Sequence, residues 1–271
     1  MTPRVLIIAG SDSGGGAGIQ ADIKTVTMLG GHAMTAITAL TAQNTLGVQA
    51  VMPVPVAMVI AQIDACISDI GVDAVKIGMI GSAEIAHAVA DVLEKNDVPI
   101  VFDPVMVATS GDVLADAATI AAFERLMRIS VLTTPNRHEL AVLGGKEAMW
   151  QHCGALLLKG GHGDGDDISD TLVESHGKTD WYARRVDTRH THGTGCTLAS
   201  AIATGLGQNM TMQDAVDRAI LFVRTALAHA PGVGAGQGPM GHAMGRIPFY
   251  DALAATDASG WDAAAFAARW S

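Results

Sequence analysis

The 271-residue sequence predicts one α/β domain, built on a mostly parallel sheet with helices on both faces. Short apolar runs alternate along the chain with longer amphipathic stretches, which is the pattern of strand–helix–strand units. Nearly half of the residues are apolar but only 4% are aromatic, so aliphatic side chains and methionine must fill the core. No linker rich in proline or serine divides the chain, and no internal repeat is present.

The elements follow from these runs in order. We expect strands at Val5–Ala9, Ala33–Leu40, Val51–Val54, Ala74–Ile77, Ile100–Phe102, Val131–Thr133, Ala155–Lys159, Thr171–Glu174 and Trp181–Arg185. We expect helices at Gly18–Leu29, Ala57–Ile70, Ala83–Glu94, Asp116–Met127, Thr197–Gly207 and Met212–Ala228. The turn-like segment Ser175–Lys178 predicts a hairpin, and hence a small antiparallel portion of the sheet.

The end of the chain differs in composition from the rest. Ala252–Ala268 is very rich in alanine, and the aromatic residues Phe266 and Trp270 are four apart, so they share a face on a helix. We interpret residues 1–245 as the single domain and residues 246–271 as a helical tail. The tail is expected to pack on its own domain or on a subunit partner, with a lid over the ligand as the alternative.

Charge, hydropathy and cysteine spacing argue against several classes of protein. The net charge of −10 argues against a nucleic-acid surface, which would carry basic clusters. The apolar run Val5–Ala9 is too short for a signal peptide, and no stretch has the apolar length of a membrane span. Cys66, Cys153 and Cys196 are spaced too widely for a disulfide framework or a zinc site. We therefore expect a cytoplasmic protein that binds neither nucleic acid nor membrane.

The most informative motif is Gly193, Thr194, Gly195 and Cys196, directly before the expected helix Thr197–Gly207. Glycines at a helix start leave backbone N–H groups bare, and with the helix dipole these groups can bind a phosphoryl anion. A helix start also favours the thiolate form of a cysteine, which suggests a base or nucleophile beside a phosphate cradle. The alternative is a small residue accommodated at the start of a helix.

The histidines of the same segment do not indicate a metal site. His190 and His192 flank Thr191, so on an extended segment they face opposite ways, and no third ligand stands out.

A second glycine-rich loop, Gly10–Gly18, follows the first strand and opens the first helix. It does not fit the dinucleotide fingerprint, because position 19 is Ile19, and it lacks the Gly-Lys-Ser ending of a P-loop. The loop lets a ligand approach the backbone closely without naming that ligand; a tight strand-to-helix turn is the alternative.

Polar residues follow three later strands. Asp103 is placed to hold Mg²⁺, although alone it would also suit a turn. Asn136 and Glu139 have the spacing of a capping box, and could equally face a ligand. Lys159 is followed by two glycines, which suits a polyphosphate. Carboxyl ends of parallel strands share one edge of a sheet, so these residues are expected to lie together.

Eight segments together carry a family resemblance: Ile8–Asp12, Gly15–Thr25, Ile37–Thr45, Val75–Met79, Asp103–Met106, Thr134–Asn136, Lys159–His162 and His192–Thr197. In this order, from about residue 4 to residue 242, they resemble the hydroxymethylpyrimidine/phosphomethylpyrimidine kinase family of the ribokinase-like superfamily. The resemblance implies a three-layer α/β/α fold, usually a homodimer. It also implies two steps that use ATP and Mg²⁺ and convert 4-amino-5-hydroxymethyl-2-methylpyrimidine to its monophosphate and then its diphosphate.

The resemblance also implies roles for individual residues. Gln43 would read the pyrimidine edge, in a pocket lined by Gly10, Asp22, Met79 and Val105. On the nucleotide side, Asp103 and Glu139 would hold the metal, and Asn136, Glu139 and Lys159 would bind ATP. Gly193, Thr194, Gly195 and Cys196 would form the anion hole, with Cys196 where most ribokinase-like sugar kinases have an aspartate base.

Two departures and two alternatives remain. Residues 137–158 look shorter than in typical members, which suggests a trimmed helix near the ATP site, and the tail has no counterpart. A pyridoxal or pyridoxine kinase is the nearest alternative function, since those rings also carry a hydroxymethyl group. A non-catalytic pyrimidine sensor is an alternative of another class.

Overall fold

The computed structural model describes residues 2–108, 110–161 and 165–244. In this part of the chain nine strands form one sheet, in the order β3-β2-β1-β4-β5-β6-β7-β8-β9. The strands are β1 (Arg4–Asp12), β2 (His32–Asn44), β3 (Gly47–Pro53), β4 (Ala74–Ile77), β5 (Ile100–Phe102), β6 (Leu132–Thr133), β7 (Leu156–Leu158), β8 (Asp167–Glu174) and β9 (Gly177–Arg184). All nine were expected, and the α/β class is confirmed.

The sheet is mostly parallel. From β2 through β1, β4, β5 and β6 to β7, every neighbouring pair is parallel, whereas β3 runs antiparallel to β2 and β8 antiparallel to β7. β8 and β9 form the expected hairpin, but Glu174 pairs directly with Gly177, so the turn has two residues rather than four.

The helices are α1 (Gly18–Met28), α2 (Val56–Ala65), α3 (Ala83–Leu93), α4 (Ala117–Ile129), α5 (Arg137–Val142), α6 (Gly145–Trp150), α7 (Thr194–Gly207) and α8 (Met212–Ala228). Four of these helices differ from expectation. The α-helical part expected to reach Ile70 ends at Ala65 and continues as a π-helical turn, Cys66–Ile70. The segment that looked trimmed holds two six-residue helices, α5 and α6. Helix α7 begins at Thr194, three residues earlier than expected.

Two apolar cores lie against the sheet, one on each face. Along β1, Leu6 and Ile8 join the core that includes residues of α2, α3 and α4. Val5, Ile7 and Ala9 join the core that includes residues of α1, α7 and α8. This alternation is the two-residue period of a strand buried on both faces, and it gives the three-layer arrangement.

Helix starts show where the fold leaves backbone groups free. Side chains of Ser82, Asp116 and Thr211 cap α3, α4 and α8 by accepting a backbone N–H. Helix α7 instead starts from Gly193, whose φ of 86° suits glycine and which has no side chain to bond the first amides.

The expected tail helix, with its aromatic pair, and His162 lie outside the described residues. Within the described ranges, no helix combines the length and the apolar character needed to cross a membrane.

Candidate active site

The loops expected to carry chemistry meet at one edge of the sheet. Because β2, β1, β4, β5, β6 and β7 are parallel, their carboxyl ends lie together. One residue of interest lies within three positions of the carboxyl end of each strand. In the order of the strands just named, these residues are Gln43, Asp12, Met79, Asp103, Asn136 and Lys159.

Asp103 and Lys159 form the centre of the nucleotide side. The Asp103 carboxylate is 1% exposed and accepts hydrogen bonds from Lys159 Nζ at 2.7 Å and from Thr134 Oγ1 at 2.9 Å. Burial opposes the positive charge of Lys159, but the carboxylates of Asp103 and Glu139 outweigh it and raise the pKa of the ammonium group. Lys159 is therefore a fixed cation at this edge, as the sequence predicted.

Asn136 and Glu139 do form a capping box at α5. The Asn136 side chain accepts from the Glu139 amide at 2.9 Å, and the Glu139 carboxylate accepts from the Asn136 amide at 2.7 Å. The structural alternative for this pair is thus confirmed. Glu139 also lies 3.8 Å from Lys159 Nζ, and burial together with Asp103 raises its pKa to about 7. The carboxylate can therefore serve as a cap while it faces the nucleotide side.

The start of α7 faces the same cluster. A Cβ placed on Gly195 would lie 3.1 Å from Asp103 Oδ2 and 3.4 Å from Lys159 Nζ. At Gly193 an added Cβ would lie 2.0 Å from the carbonyl oxygen of Gly16, so the two glycine-rich loops touch backbone to backbone. The structure thus brings the expected anion hole beside the expected phosphate-binding lysine.

Cys196 lies in the first turn of α7 and is partly exposed. The sequence predicted that its thiolate would be favoured, and this is wrong. Desolvation, together with the charges of Asp22 and Asp103, raises the pKa of the thiol to about 11 against the lowering effect of Lys76. Burial, with the carboxylates of neighbouring elements, therefore favours the neutral thiol.

Three of the residues expected to line a pyrimidine pocket, Gly10, Gln43 and Met79, lie toward the carboxyl ends of β1, β2 and β4. A Cβ on Gly10 would lie 3.1 Å from the sulfur of Met79, so these two residues are adjacent. Thr38 Oγ1 donates to the Met79 carbonyl at 2.7 Å and fixes that strand end. The Gln43 backbone is held by Ser13, which donates to its carbonyl at 2.9 Å and accepts from its amide at 2.8 Å.

Asp22 and Val105 are placed differently from the other expected pocket residues. The Asp22 carboxylate is fully buried and accepts from Lys76 Nζ at 2.8 Å and from Ser200 Oγ at 2.7 Å, so it supports the site from within the core. Lys76 was not predicted; burial opposes its charge, but Asp22 holds the pKa of the ammonium group above its ordinary value. Val105 is partly exposed two residues beyond Asp103, and its amide donates to the Asp103 carbonyl at 2.8 Å.

Sequence reasoning also missed a buried pair, Asp12 and His192. The Asp12 carboxylate accepts from the amides of Gly14, Gly16 and Ala17, and it lies 2.9 Å from His192 Nε2. The signal for Asp12 was available, since an aspartate before a glycine-rich turn commonly accepts from the following amides. Nothing local indicated its partner, which is 180 residues away.

A divalent cation on the nucleotide side would need the phosphate oxygens of a bound nucleotide in addition to the carboxylates of the protein. Among the described residues, no group of three or more histidines, cysteines or carboxylates could hold a metal alone. Asp103 and Glu139 nevertheless offer two buried carboxylates with a cation, Lys159, already between them. Proteins typically bind Mg²⁺ through one or two carboxylates plus substrate phosphates, so the donor set is suitable.

Phosphoryl transfer to a small molecule needs backbone amides that bind the migrating group and a cation beside them. The start of α7 and the Lys159–Asp103 pair place both at these strand ends. The fold and the site together define a ribokinase-like kinase. The family model for phosphomethylpyrimidine kinase matches residues 12–241, and the chain belongs to that family.

Individual relatives agree with this assignment. The chain is 44% identical over 254 residues to a hydroxymethylpyrimidine/phosphomethylpyrimidine kinase from Streptomyces coelicolor, covering 89% of this chain and 94% of the relative. Phosphomethylpyrimidine kinase from Clostridium difficile superposes with a TM-score of 0.73 at 34% identity, over 83% of this chain and 99% of that one. Pyridoxal kinase from Staphylococcus aureus, in complex with AMP-PCP and pyridoxal, gives 0.82 at 30% identity, over 91% and 96%.

Proposed function

We propose that the protein phosphorylates 4-amino-5-hydroxymethyl-2-methylpyrimidine with ATP, first to the monophosphate and then to the diphosphate, for thiamine biosynthesis. The observation that carries the proposal is the position of the segment from His192 to Cys196. It lies between two half-sites, one expected to bind the nucleotide and the other the heterocycle. On one side Gly195 meets Asp103 and Lys159, and on the other His192 meets Gln43. A phosphoryl group held by this loop would lie between a nucleotide and a heterocycle.

Each half-site has a distinct task in the transfer. The amides of Gly195 and Cys196 at the start of α7 hold the migrating phosphoryl group, and Lys159 neutralises the oxygens of the nucleotide phosphates. In the first step the substrate hydroxyl oxygen bonds to the γ-phosphorus while the bond from that phosphorus to the bridging oxygen of ADP breaks. The hydroxyl group points its proton at the Cys196 sulfur, which orients the alcohol and accepts the proton in its ionised form.

Asp103 and Glu139 are the residues that would hold Mg²⁺ when the nucleotide is present. The ion would supply charge neutralisation for the phosphate oxygens. Asp103 already lies against the start of α7, and its hydrogen bond from Thr134 fixes its orientation. The same proposal places the protein in the cytoplasm, where ATP is supplied and its three free cysteines stay reduced.

The test is ADP release from ATP and Mg²⁺, with and without the pyrimidine alcohol, and with pyridoxal and pyridoxine as competing substrates. We expect release that depends on the pyrimidine and a kcat/KM for the pyrimidine above that for either pyridine ring. A higher kcat/KM for pyridoxal would replace the proposed substrate. Binding of the pyrimidine without any ADP release would favour a sensor.

A homodimer is part of the proposal. Leu46, Val51 and Met52 expose between 46% and 69% of their surface on or beside β3, which is an edge strand of the sheet. Exposed apolar side chains on an unpaired edge strand are typical of an interaction surface, and a second copy of the chain would bury them in a dimer interface. Light scattering after size exclusion should show a dimer that Met52→Lys converts to a monomer, whereas Leu221→Lys, at an exposed site on α8, does not.

A further inference from the structure

The buried pair Asp12–His192 has no part in the transfer step described above. Asp12 is 3% exposed and His192 is 7% exposed. His192 directly precedes Gly193, where the anion hole begins, and its ring also fills the space beside Gly16, where an added Cβ would lie 2.5 Å from the ring. The pair therefore stands between the two glycine-rich loops.

The protonation of His192 at Nε2 follows from its partner. Although burial opposes the charge of Asp12, hydrogen bonds from His192 and from the loop amides hold the pKa of its carboxyl group below the ordinary value. An ionised carboxylate only accepts hydrogen bonds. The ring nitrogen 2.9 Å away must therefore carry a proton and donate it.

This donor constrains Gln43. The amide nitrogen of Gln43 lies 3.3 Å from the same Nε2, so two donors face each other. At the other end of the amide, Thr41 Oγ1 lies 3.1 Å from Gln43 Oε1 and 3.0 Å from the Ser11 carbonyl, but its single proton can serve only one of these acceptors. A half-turn of the Gln43 amide removes both conflicts. The oxygen then faces the Nε2–H group of His192, whose single proton Asp12 accepts, and no second donor opposes that group. The NH₂ group donates to Thr41, which is free to donate its own proton to the Ser11 carbonyl.

We propose that His192 is a positioning residue, which locks the Gln43 amide with its oxygen toward the anion hole and its NH₂ group toward Thr41. This inference rests on the proposed function and specifies how that site selects its ring. The locked amide accepts from a donor beside the reacting hydroxymethyl group and donates to an acceptor one position further along the ring. The 4-amino group and N3 of the aminopyrimidine have this order, which directs the neighbouring hydroxymethyl group to the start of α7.

The test compares kcat/KM for the 4-amino substrate with that for its 4-oxo analogue, which presents a carbonyl and an N3–H in the reverse order. Each mismatched hydrogen bond lowers kcat/KM by roughly tenfold or more, so the wild type should prefer the amine by at least about 100-fold. In His192→Leu the amide is free to turn, and the preference should fall to about tenfold or less. His192→Gln, which can donate to both Asp12 and Gln43, should keep most of the preference.

The matched control is His190→Ala, two residues earlier in the same segment, which should leave the preference unchanged. An equal loss of kcat/KM for both rings in His192→Leu would overturn the inference, because a merely structural role lowers both alike. A wild type without preference would overturn it too. If His192→Leu does not fold, Thr41→Val removes the other anchor, and an unchanged preference there would be equally decisive. Failure of the proposed function looks different, since neither ring would then stimulate ADP release by the wild type.

Discussion

Replacing Cys196 by alanine should slow the first phosphorylation by about 10²–10⁴-fold and the second by less than about tenfold. The acceptor of the first step is an alcohol, which must lose a proton as its oxygen bonds to phosphorus. The acceptor of the second step is a phosphate monoester, whose second pKa of about 6 leaves its oxygens ionised at pH 7.5. Only the first step therefore needs a group that takes a proton.

The pH dependence of the wild type follows from the same thiol. With a pKa of about 11, roughly one thiol in 3,000 is ionised at pH 7.5. If the ionised sulfur accepts the proton, the rate of the first step should rise by nearly tenfold per pH unit between about pH 7.5 and pH 9.5. The second step should lack this rise.

The assay is ADP release with either the alcohol or the purified monophosphate as the acceptor. Cys66→Ala is the matched control, because it removes another partly buried thiol, on the π-helical turn, and should keep both rates. Equal losses at both steps in Cys196→Ala would refute a role in proton transfer. An unchanged first step would remove the cysteine from the reaction.

Three further predictions concern stability. Lys76→Met should lower the free energy of unfolding by about 3–5 kcal/mol, because it leaves the buried Asp22 charge unpaired; adding Asp22→Leu should recover much of the loss in urea denaturation, and no recovery would argue against the ion pair. Gly193→Ala should lower both Tm and kcat, since its Cβ would meet backbone at a positive φ, whereas Gly161→Ala, whose Cβ meets open space, should keep the wild-type Tm; equal Tm values would contradict this. Burial lowers the pKa of His242 to about 4, so the unfolded chain takes up a proton below about pH 6.5 while the folded protein does not. Stability is therefore lost as the pH falls through this window, by about 2 kcal/mol between pH 7 and pH 5, and His242→Gln should flatten that part of the urea-denaturation profile.

The sequence predicted most of the fold, because long elements repeat their apolar pattern several times. Helices α5 and α6 were missed since six residues complete fewer than two turns, too few to display a helical period. The start of α7 was placed three residues late because Gly193 and Gly195 have low helix propensity, and tertiary contacts with Gly16, Asp103 and Lys159 decide the matter instead.

The candidate site was predictable only where its chemistry is local. The residues at strand ends could be found because each follows an apolar run, and parallel strands bring such ends together. The Asp12–His192 pair could not be found, because its partners are 180 residues apart and neither one indicates the other. The thiol of Cys196 was misjudged for a related reason. Its pKa depends on burial and on carboxylates from α1 and the end of β5, and the sequence of its own helix indicates neither of these.

The ammonium group of Lys159 lies between two carboxylates before any nucleotide arrives. The positive charge of the lysine is thus already neutralised by carboxylates, and a triphosphate cannot simply be captured by a free cation. It has to take the lysine from Asp103, which in turn needs a replacement counter-ion. A divalent metal ion would supply that counter-ion, so nucleotide and metal should bind together rather than one after the other.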